Sequence, residues 1–182
     1  YLFLGIYLSI NTGISHDEHH EQLNWEINLK SIKDFLYTGT YKDLLEYKDR
    51  YHGIGFNLIS QPFQFILKDL ISNYLNLSEY GSNLISKNII VFAIYFISGL
   101  FFYSICKNLF EDKKFSIISL LVFYLYPYLF GHAQFNPKDI PFLSFWIINT
   151  YFLLKIFKKI NKDKIIKFKF IFYFALSTSI LL

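Results

Sequence analysis

The chain has 182 residues, of which 53% are hydrophobic, 21% aromatic and 18% charged. A soluble domain carries about 25% charged residues, so this composition indicates a membrane protein. The single cysteine, Cys106, excludes a disulfide within the chain. It ends an apolar run, where we expect it to pack as a small apolar side chain.

The ends of the sequence predict a longer protein. The chain contains no methionine and stops inside an apolar run. We therefore expect residues 1–182 to be the N-terminal part of one transmembrane domain. Residues 1–14 lack the charged start and small-residue cleavage site of a signal peptide, so we interpret them as the outer part of a first membrane helix.

Five apolar stretches are predicted to span a membrane. A spanning helix needs about 20 apolar residues, and several uncharged runs approach that length. Buried helices of a large soluble protein are the alternative, which so many long uncharged runs in one short chain disfavour. The predicted fold class is an all-α, polytopic transmembrane helical bundle. Its spans are predicted at about residues 1–14, 88–106, 115–130, 140–157 and 168–182.

The charge of the loop between the fourth and fifth spans predicts the orientation. The loop and the span ends that flank it hold seven lysines and one aspartate, which by the positive-inside rule places the loop in the cytoplasm. We expect these lysines to meet anionic membrane lipids, and we expect no nucleic acid as a partner. Counting the spans backwards makes residues 15–87 a long extracytoplasmic loop.

This outer loop is predicted to contain amphipathic helices that lie along the membrane interface. Residues 18–37 place apolar side chains at helical spacing, and Thr38-Gly39-Thr40 ends the pattern. Residues 57–77 form a second, mostly apolar segment that we interpret as an interfacial helix. Lys68 and Asp69 disfavour a membrane span there.

The first candidate site, His16 to Glu21, directly follows the first apolar run. Asp17 beside a membrane face can act as a general base toward an acceptor hydroxyl or amine, with Glu18 next to it. The alternative is structural, because acidic residues favour the first turn of a helix and Ser15 or Asp17 can be its N-cap. The residues alone leave both interpretations open.

The histidines of the same segment suggest a metal site. His16 and His20 are four positions apart, a spacing that lets two imidazoles bind one divalent metal on a helix face. Glu21, His52 and His132 are candidates for a third ligand. A lone histidine pair is a weak signal, since it also suits a solvated polar edge, and zinc proteolysis is disfavoured.

The second candidate site is the short loop of residues 131–141. Lys138 is a natural partner for a phosphate. His132, Gln134 and Asn136 are polar although nothing local requires it, and polar groups at membrane depth tend to be functional. The alternative is an ordinary interfacial turn in which Lys138 pairs with its neighbour Asp139.

Two sequence features together resemble a known superfamily. Asp17-Glu18 opens the loop after the first helix, and Asn136 to Phe142 reads NPKDIPF two spans later. The combination is similar to the GT-C superfamily of polytopic glycosyltransferases, specifically the protein O-mannosyltransferases and aminoarabinose-type transferases. The resemblance covers most of the chain, but only the N-terminal portion of such an enzyme.

The resemblance implies a hexosyl or pentosyl transferase. It would move a sugar, with inversion, from a polyprenyl-phosphate carrier to a lipid, glycan or protein acceptor outside the cytoplasm. Asp17 would be the base, Glu18 would position the acceptor or a cation, and Lys138, with His132 and Asn136, would face the donor phosphate. The histidines near Asp17 depart from the family pattern, which leaves a divalent metal open. Abundant Lys, Asn, Ile and Phe favour a bacterial inner membrane protein.

Two other functions compete with this interpretation. A transporter or lipid-handling protein without bond chemistry predicts charged residues inside the spans, and the later spans are nearly free of them. A membrane zinc metalloprotein would use His16 and His20. The transferase makes a geometric prediction, because Asp17 and Lys138 should line one outward-facing cavity.

Overall fold

The computed structural model describes residues 1–15, 17–161 and 167–181, and in these ranges its regular elements are all helices, which confirms the all-α prediction. The helices are α1 (Leu2–Asn11), α2 (Glu18–Thr38), α3 (Lys42–Glu46), α4 (Gly55–Leu75), α5 (Glu79–Phe110), α6 (Lys113–Leu125), α7 (Pro127–His132), α8 (Asp139–Ile160) and α9 (Phe168–Leu181).

Two helices, α5 and α8, are long and apolar enough to cross a membrane, and they lie where two of the five spans were predicted. The helices α1 and α9 are also apolar but shorter. The stretch predicted as a span at 115–130 is divided, because Tyr126 is extended and Pro127 starts a new helix. A proline disfavours a helical conformation of the residue before it, so α6 ends there.

The core lies where α5 meets α1, α6 and α8, and aromatic side chains fill it. Glycines allow the helices to approach closely. A Cβ on Gly5 would lie 1.8 Å from Phe92 Cζ, and one on Gly99 would lie 2.3 Å from Tyr124 Cε1. The Tyr124 hydroxyl also donates to the Phe96 carbonyl at 2.6 Å. The α5–α6 contact therefore combines ring packing with a hydrogen bond between helices.

The helices α2 and α4 bury polar residues and expose apolar ones. On α2, Asn24, Asn28 and Ser31 are buried, while Phe35 and Leu36 are exposed. On α4, the buried residues are Asn57, Ser60, Gln64 and Ile71. This pattern is the reverse of that of a soluble helix, and it suits helices whose apolar side meets a membrane.

The two long helices run in the same direction. Lys158 Nζ donates to the Asn108 carbonyl at 2.8 Å, which places the C-terminal ends of α8 and α5 side by side. About 20 positions separate Lys87 from Lys107 on α5, and the same number separates Lys138 from Lys158 on α8. Along a helix this separation is ~30 Å, which is about the thickness of the hydrocarbon core of a membrane. We call the end with Lys87 and Lys138 the polar end, and the other the lysine end. Most of the lysine-rich loop, residues 162–166, lies outside the described residues.

Candidate functional site

The first turn of α2 is fixed to α5 by an ion pair. Glu18 is only 4% exposed, and its Oε1 pairs with Lys87 Nζ. Its other oxygen, Oε2, is buried and has no hydrogen-bond partner among the described residues. A buried charge is costly unless it is paired, so this contact sets where α2 begins relative to α5.

Asp17 precedes this turn and is exposed. It occupies the N-cap position of α2, but its side chain makes no capping hydrogen bond. Its backbone N–H donates to Ser15 Oγ at 3.4 Å. The Asp17 carboxylate is therefore not engaged in capping the helix. The neighbouring His16 lies outside the described residues.

The two candidate sites meet in one cavity, although about 120 positions separate them in the sequence. This cavity, which we call the Asp17 cavity, has a volume of about 250 Å³. It is lined by Asp17, His20, Glu21, Asn24, Tyr47, Asp49, His52 and Lys138. Asp17 and Lys138 thus line a common space, as predicted from the sequence, while their chemical roles remain predictions.

Two further cavities, each of about 240 Å³, adjoin this one. One of them is lined by Glu21, His52, Gly53, Phe56, Asn57, Pro137, Lys138, Asp139, Pro141, Phe142, Phe145, Ile180 and Leu181. The amide cavity, between α2, α4 and α5, is lined by Glu18, Glu21, Gln22, Trp25, Glu26, Asn57, Gln61, Gln64, Tyr80, Asn83, Leu84 and Lys87.

Glu21 lines all three cavities, so one carboxyl group stands at their junction. Burial raises the pKa of this carboxyl above its ordinary value, and the positive charges of Lys138, Lys87 and His52 oppose the shift. Desolvation is the larger cause, because the side chain is partly enclosed while the lysines do not contact it closely enough to form an ion pair.

Asn136 organises the loop that presents Lys138. Its Oδ1 accepts hydrogen bonds from the backbone N–H groups of Lys138 at 3.1 Å and Asp139 at 2.9 Å. Its Nδ2 lies 3.0 Å from His132 Nδ1 and donates to Asp139 Oδ2 at 3.1 Å. Asp139 is thus bonded to Asn136, and among the described residues Lys138 forms no ion pair. Neither cavity that Lys138 lines is lined by His132 or Asn136, whose phosphate-binding role stays a prediction.

The polar character of Gln134 also has a structural cause. Gln134 is buried, and its Oε1 accepts a hydrogen bond from Ser9 Oγ of α1 at 2.8 Å. The amide therefore ties the loop that presents Lys138 to the first helix.

The metal hypothesis has limited support in the described part of the chain. Among the described residues, no group of three or more His, Cys, Asp or Glu side chains is placed to hold one metal ion. His20 and Glu21 both line the Asp17 cavity, but the predicted pair needs His16, which is not described. The hypothesis for His16, His20 and Glu21 thus stays a prediction.

The burial of Lys87 and the position of Glu21 between the three cavities were not predicted from the sequence. Lys87 directly precedes the uncharged run 88–106. A lysine that is buried at a membrane edge requires a partner, so its position in the sequence could have indicated an ion pair there. Tyr47 and Asp49 reach the Asp17 cavity from the α3–α4 connection, and nothing in their spacing indicated this.

Comparison with known families supplies the identification. Residues 70–179 match the model of the dolichyl-phosphate-mannose-protein mannosyltransferase family, which confirms the resemblance to GT-C glycosyltransferases. The matched segment includes Lys87 and Lys138, and it begins after Asp17 and Glu18. Searches for similar curated proteins and for similar solved structures gave no match. Because the family match spans more than half of the chain, the chain belongs to the dolichyl-phosphate-mannose-protein mannosyltransferase family, that is, to membrane glycosyltransferases of the GT-C kind.

Proposed function

We propose that the chain transfers a sugar from a polyprenyl-phosphate carrier to an acceptor, with Asp17 as the general base. The observation that supports this most directly is that Asp17 and Lys138 line one cavity. A carboxylate can accept the proton of an acceptor hydroxyl. A lysine ammonium can bind the donor phosphate through charge-assisted hydrogen bonds. One cavity thus offers a base and a phosphate-binding cation.

The proposed reaction is a single displacement. The acceptor hydroxyl gives its proton to the Asp17 carboxylate, and its oxygen bonds to the anomeric carbon of the donor. The bond from that carbon to the phosphate oxygen breaks, and its electron pair leaves with the polyprenyl phosphate. Lys138 stabilises the charge on this leaving group. One displacement inverts the anomeric configuration.

Glu18 acts in this proposal as a positioning residue. Its ion pair with Lys87 holds the first turn of α2 against α5, and Asp17 is the residue directly before that turn. A misplacement of about 1 Å can cost a catalytic group 10²-fold in rate. The buried pair therefore fixes the position from which Asp17 reaches the acceptor.

The charges at the two ends of the bundle support an extracytoplasmic site. The lysine end carries an excess of positive side chains, which the positive-inside rule assigns to the cytoplasm. These side chains include Lys107, Lys113, Lys114, Lys155, Lys158 and Lys159. The polar end with the Asp17 cavity then faces away from the cytoplasm. We place the protein in a bacterial inner membrane, in contact with lipid along the exposed apolar faces.

Replacing Asp17 tests the proposal. Asp17→Asn in the full-length protein should lower the rate of sugar transfer from a lipid-linked donor by about 10²- to 10⁴-fold, because general base catalysis contributes that much. Transfer is measured with a radiolabelled sugar on a polyprenyl phosphate.

The matched control is Asp34→Asn, which removes the same charge from the same helix away from the cavity. It should retain most of the transfer rate. A near-normal rate in Asp17→Asn would remove Asp17 from the role of base.

A further inference from the structure

The amide cavity has a lining unlike that of the other two. Trp25 and Tyr80 line this space together with five side-chain amides, which belong to Gln22, Asn57, Gln61, Gln64 and Asn83. Leu84 is the only aliphatic residue among the described residues that line it. More of the lining is polar than apolar, so the cavity suits a ligand that carries polar groups.

One residue of this cavity is buried with incomplete hydrogen bonding. Glu18, which lines it, has the buried and unpartnered Oε2. Gln64 is 5% exposed and uses its Nε2 to donate to Ser60 Oγ at 2.8 Å. Buried polar groups are normally paired, so the Glu18 carboxylate keeps an unused acceptor oxygen beside the cavity.

The combination of amides, carboxylates and aromatic rings matches the chemistry of a sugar ring. Each sugar hydroxyl both donates and accepts, while an amide offers a carbonyl acceptor and an NH₂ donor. The carboxylates of Glu18 and Glu26 accept only. Trp25 and Tyr80 supply flat surfaces against which the C–H face of a sugar can pack.

The size and position of the cavity limit the choice of ligand further. Its volume of about 240 Å³ is below the roughly 300–1,000 Å³ of pockets for drug-sized ligands, which suits one monosaccharide unit. The donor sugar must lie between the base and the phosphate-binding lysine, within the Asp17 cavity. Glu21 is the wall that the two cavities share. A sugar in the amide cavity is then a second sugar, next to the first.

We propose that the amide cavity binds the terminal sugar of the acceptor, so that the substrate glycosylated by this chain is a glycan. This inference rests on the proposed function for its reaction, but the binding it requires can be measured without turnover. A sugar ring could also come from the donor, and competition with the donor separates these two sources.

The test uses the full-length protein in lipid nanodiscs and isothermal titration calorimetry. The probes are methyl α-D-mannopyranoside, methyl β-D-glucopyranoside and, as a mimic of a protein hydroxyl, N-acetylserine amide. We expect at least one glycoside to bind and N-acetylserine amide not to bind. Gln61→Leu and Asn83→Leu should each weaken glycoside binding at least tenfold. Both positions are at least partly exposed, so these variants should fold.

The matched control is Asn73→Leu, an exposed amide on α4 outside the cavity, which should leave glycoside binding unchanged. Lys138→Ala and a saturating polyprenyl-phosphate sugar should also leave it unchanged, because both act on the donor. Displacement of the glycoside by the donor would overturn the assignment to the acceptor.

Absence of glycoside binding to the wild-type protein would overturn the inference, whether or not sugar transfer is observed. Binding of N-acetylserine amide that is lost in Gln61→Leu would overturn it in favour of a peptide acceptor. Glycoside binding that persists in Asp17→Asn supports the inference independently of the catalytic role of Asp17.

Discussion

The two halves of α5 lie in contrasting surroundings. Beyond Phe92 the helix packs tightly, with Tyr95 stacked on Phe123 at a centroid distance of 5.0 Å and Phe96 on Tyr124 at 5.5 Å. Before that point the helix is also largely buried, and Lys87 reaches Glu18 beside the amide cavity. The same helix thus contributes stacked aromatic rings at one end and a buried charge beside a polar cavity at the other.

This contrast shows how the chain separates stability from function. Within a membrane, helices associate through van der Waals packing and hydrogen bonds between them, as at Gly99 and Tyr124. The polar end borders three cavities and holds charges whose burial is costly. We therefore expect the core to be sensitive to side-chain volume and the polar end to be sensitive to charge.

The largest effect on stability is expected at the buried ion pair. Lys87→Met keeps most of the side-chain volume but leaves the Glu18 carboxylate buried without its partner. Removing one partner of a buried ion pair lowers the free energy of unfolding by about 3–5 kcal/mol. The double variant Glu18→Gln/Lys87→Met removes both charges and should recover most of this loss. Denaturant unfolding in detergent measures the free energies.

Lys107→Met is the matched control, because it removes an exposed lysine from the same helix at the lysine end. It should change the free energy of unfolding by less than about 0.5 kcal/mol. A double variant as unstable as Lys87→Met alone would show that volume, not charge, governs the polar end, and the contrast with the core would disappear.

The next effect is expected in the core, where an added methyl group has no room. Gly99→Ala places a Cβ against the Tyr124 ring, which its hydrogen bond to the Phe96 carbonyl holds in place. Overpacking of this kind costs about 1–3 kcal/mol. Unfolding measured under the same detergent conditions gives the difference from the wild-type protein.

Gly131→Ala provides the control for this change. Apart from its chain neighbours and the backbone of its own helix, α7, no atom of the described residues lies within 4 Å of a Cβ added at Gly131. Alanine is favoured over glycine in a helix by roughly 0.5–1 kcal/mol, so this variant should be as stable as the wild type or slightly more stable. Equal losses at both glycines would contradict the tight packing of the core.

The long uncharged runs made the main helices predictable. Spans at 88–106 and 140–157 coincide with α5 and α8, because a run of this length without charge has few alternatives to a membrane or core helix. The run at 115–130 looked continuous by hydropathy alone. The helix breaks at Tyr126 because Pro127 disfavours a helical conformation of the residue before it. Hydropathy does not detect such a restriction of the backbone.

The site was predictable only in part, for a geometric reason. The order of the spans was enough to expect Asp17 and Lys138 at the same end. The apolar side chains of α2 at helical spacing predicted an interfacial helix, but that spacing did not show which polar residues would face the bundle. The polar face with Asn24 and Asn28 is the buried one, so Glu18 reaches Lys87 and Glu21 reaches the junction of the cavities.

The smallest effect, expected at Glu21, tests whether burial or charge dominates at the polar end. Burial raises the pKa of its carboxyl above the ordinary 4.5. The stability contributed by the protonated form is then fully present below about pH 4.5 and is lost as the pH rises through the folded-state pKa. Glu21→Gln, which mimics that form, should melt at a higher temperature than the wild type near pH 8. Near pH 4, Glu21→Gln and the wild type should melt at the same temperature.

Glu26→Gln, at an exposed position of the same helix, is the control and should differ much less from the wild type. If Glu21→Gln melts at a lower temperature near pH 8, the attraction of Lys138, Lys87 and His52 outweighs burial, and Glu21 belongs with the ion pairs that hold the polar end together.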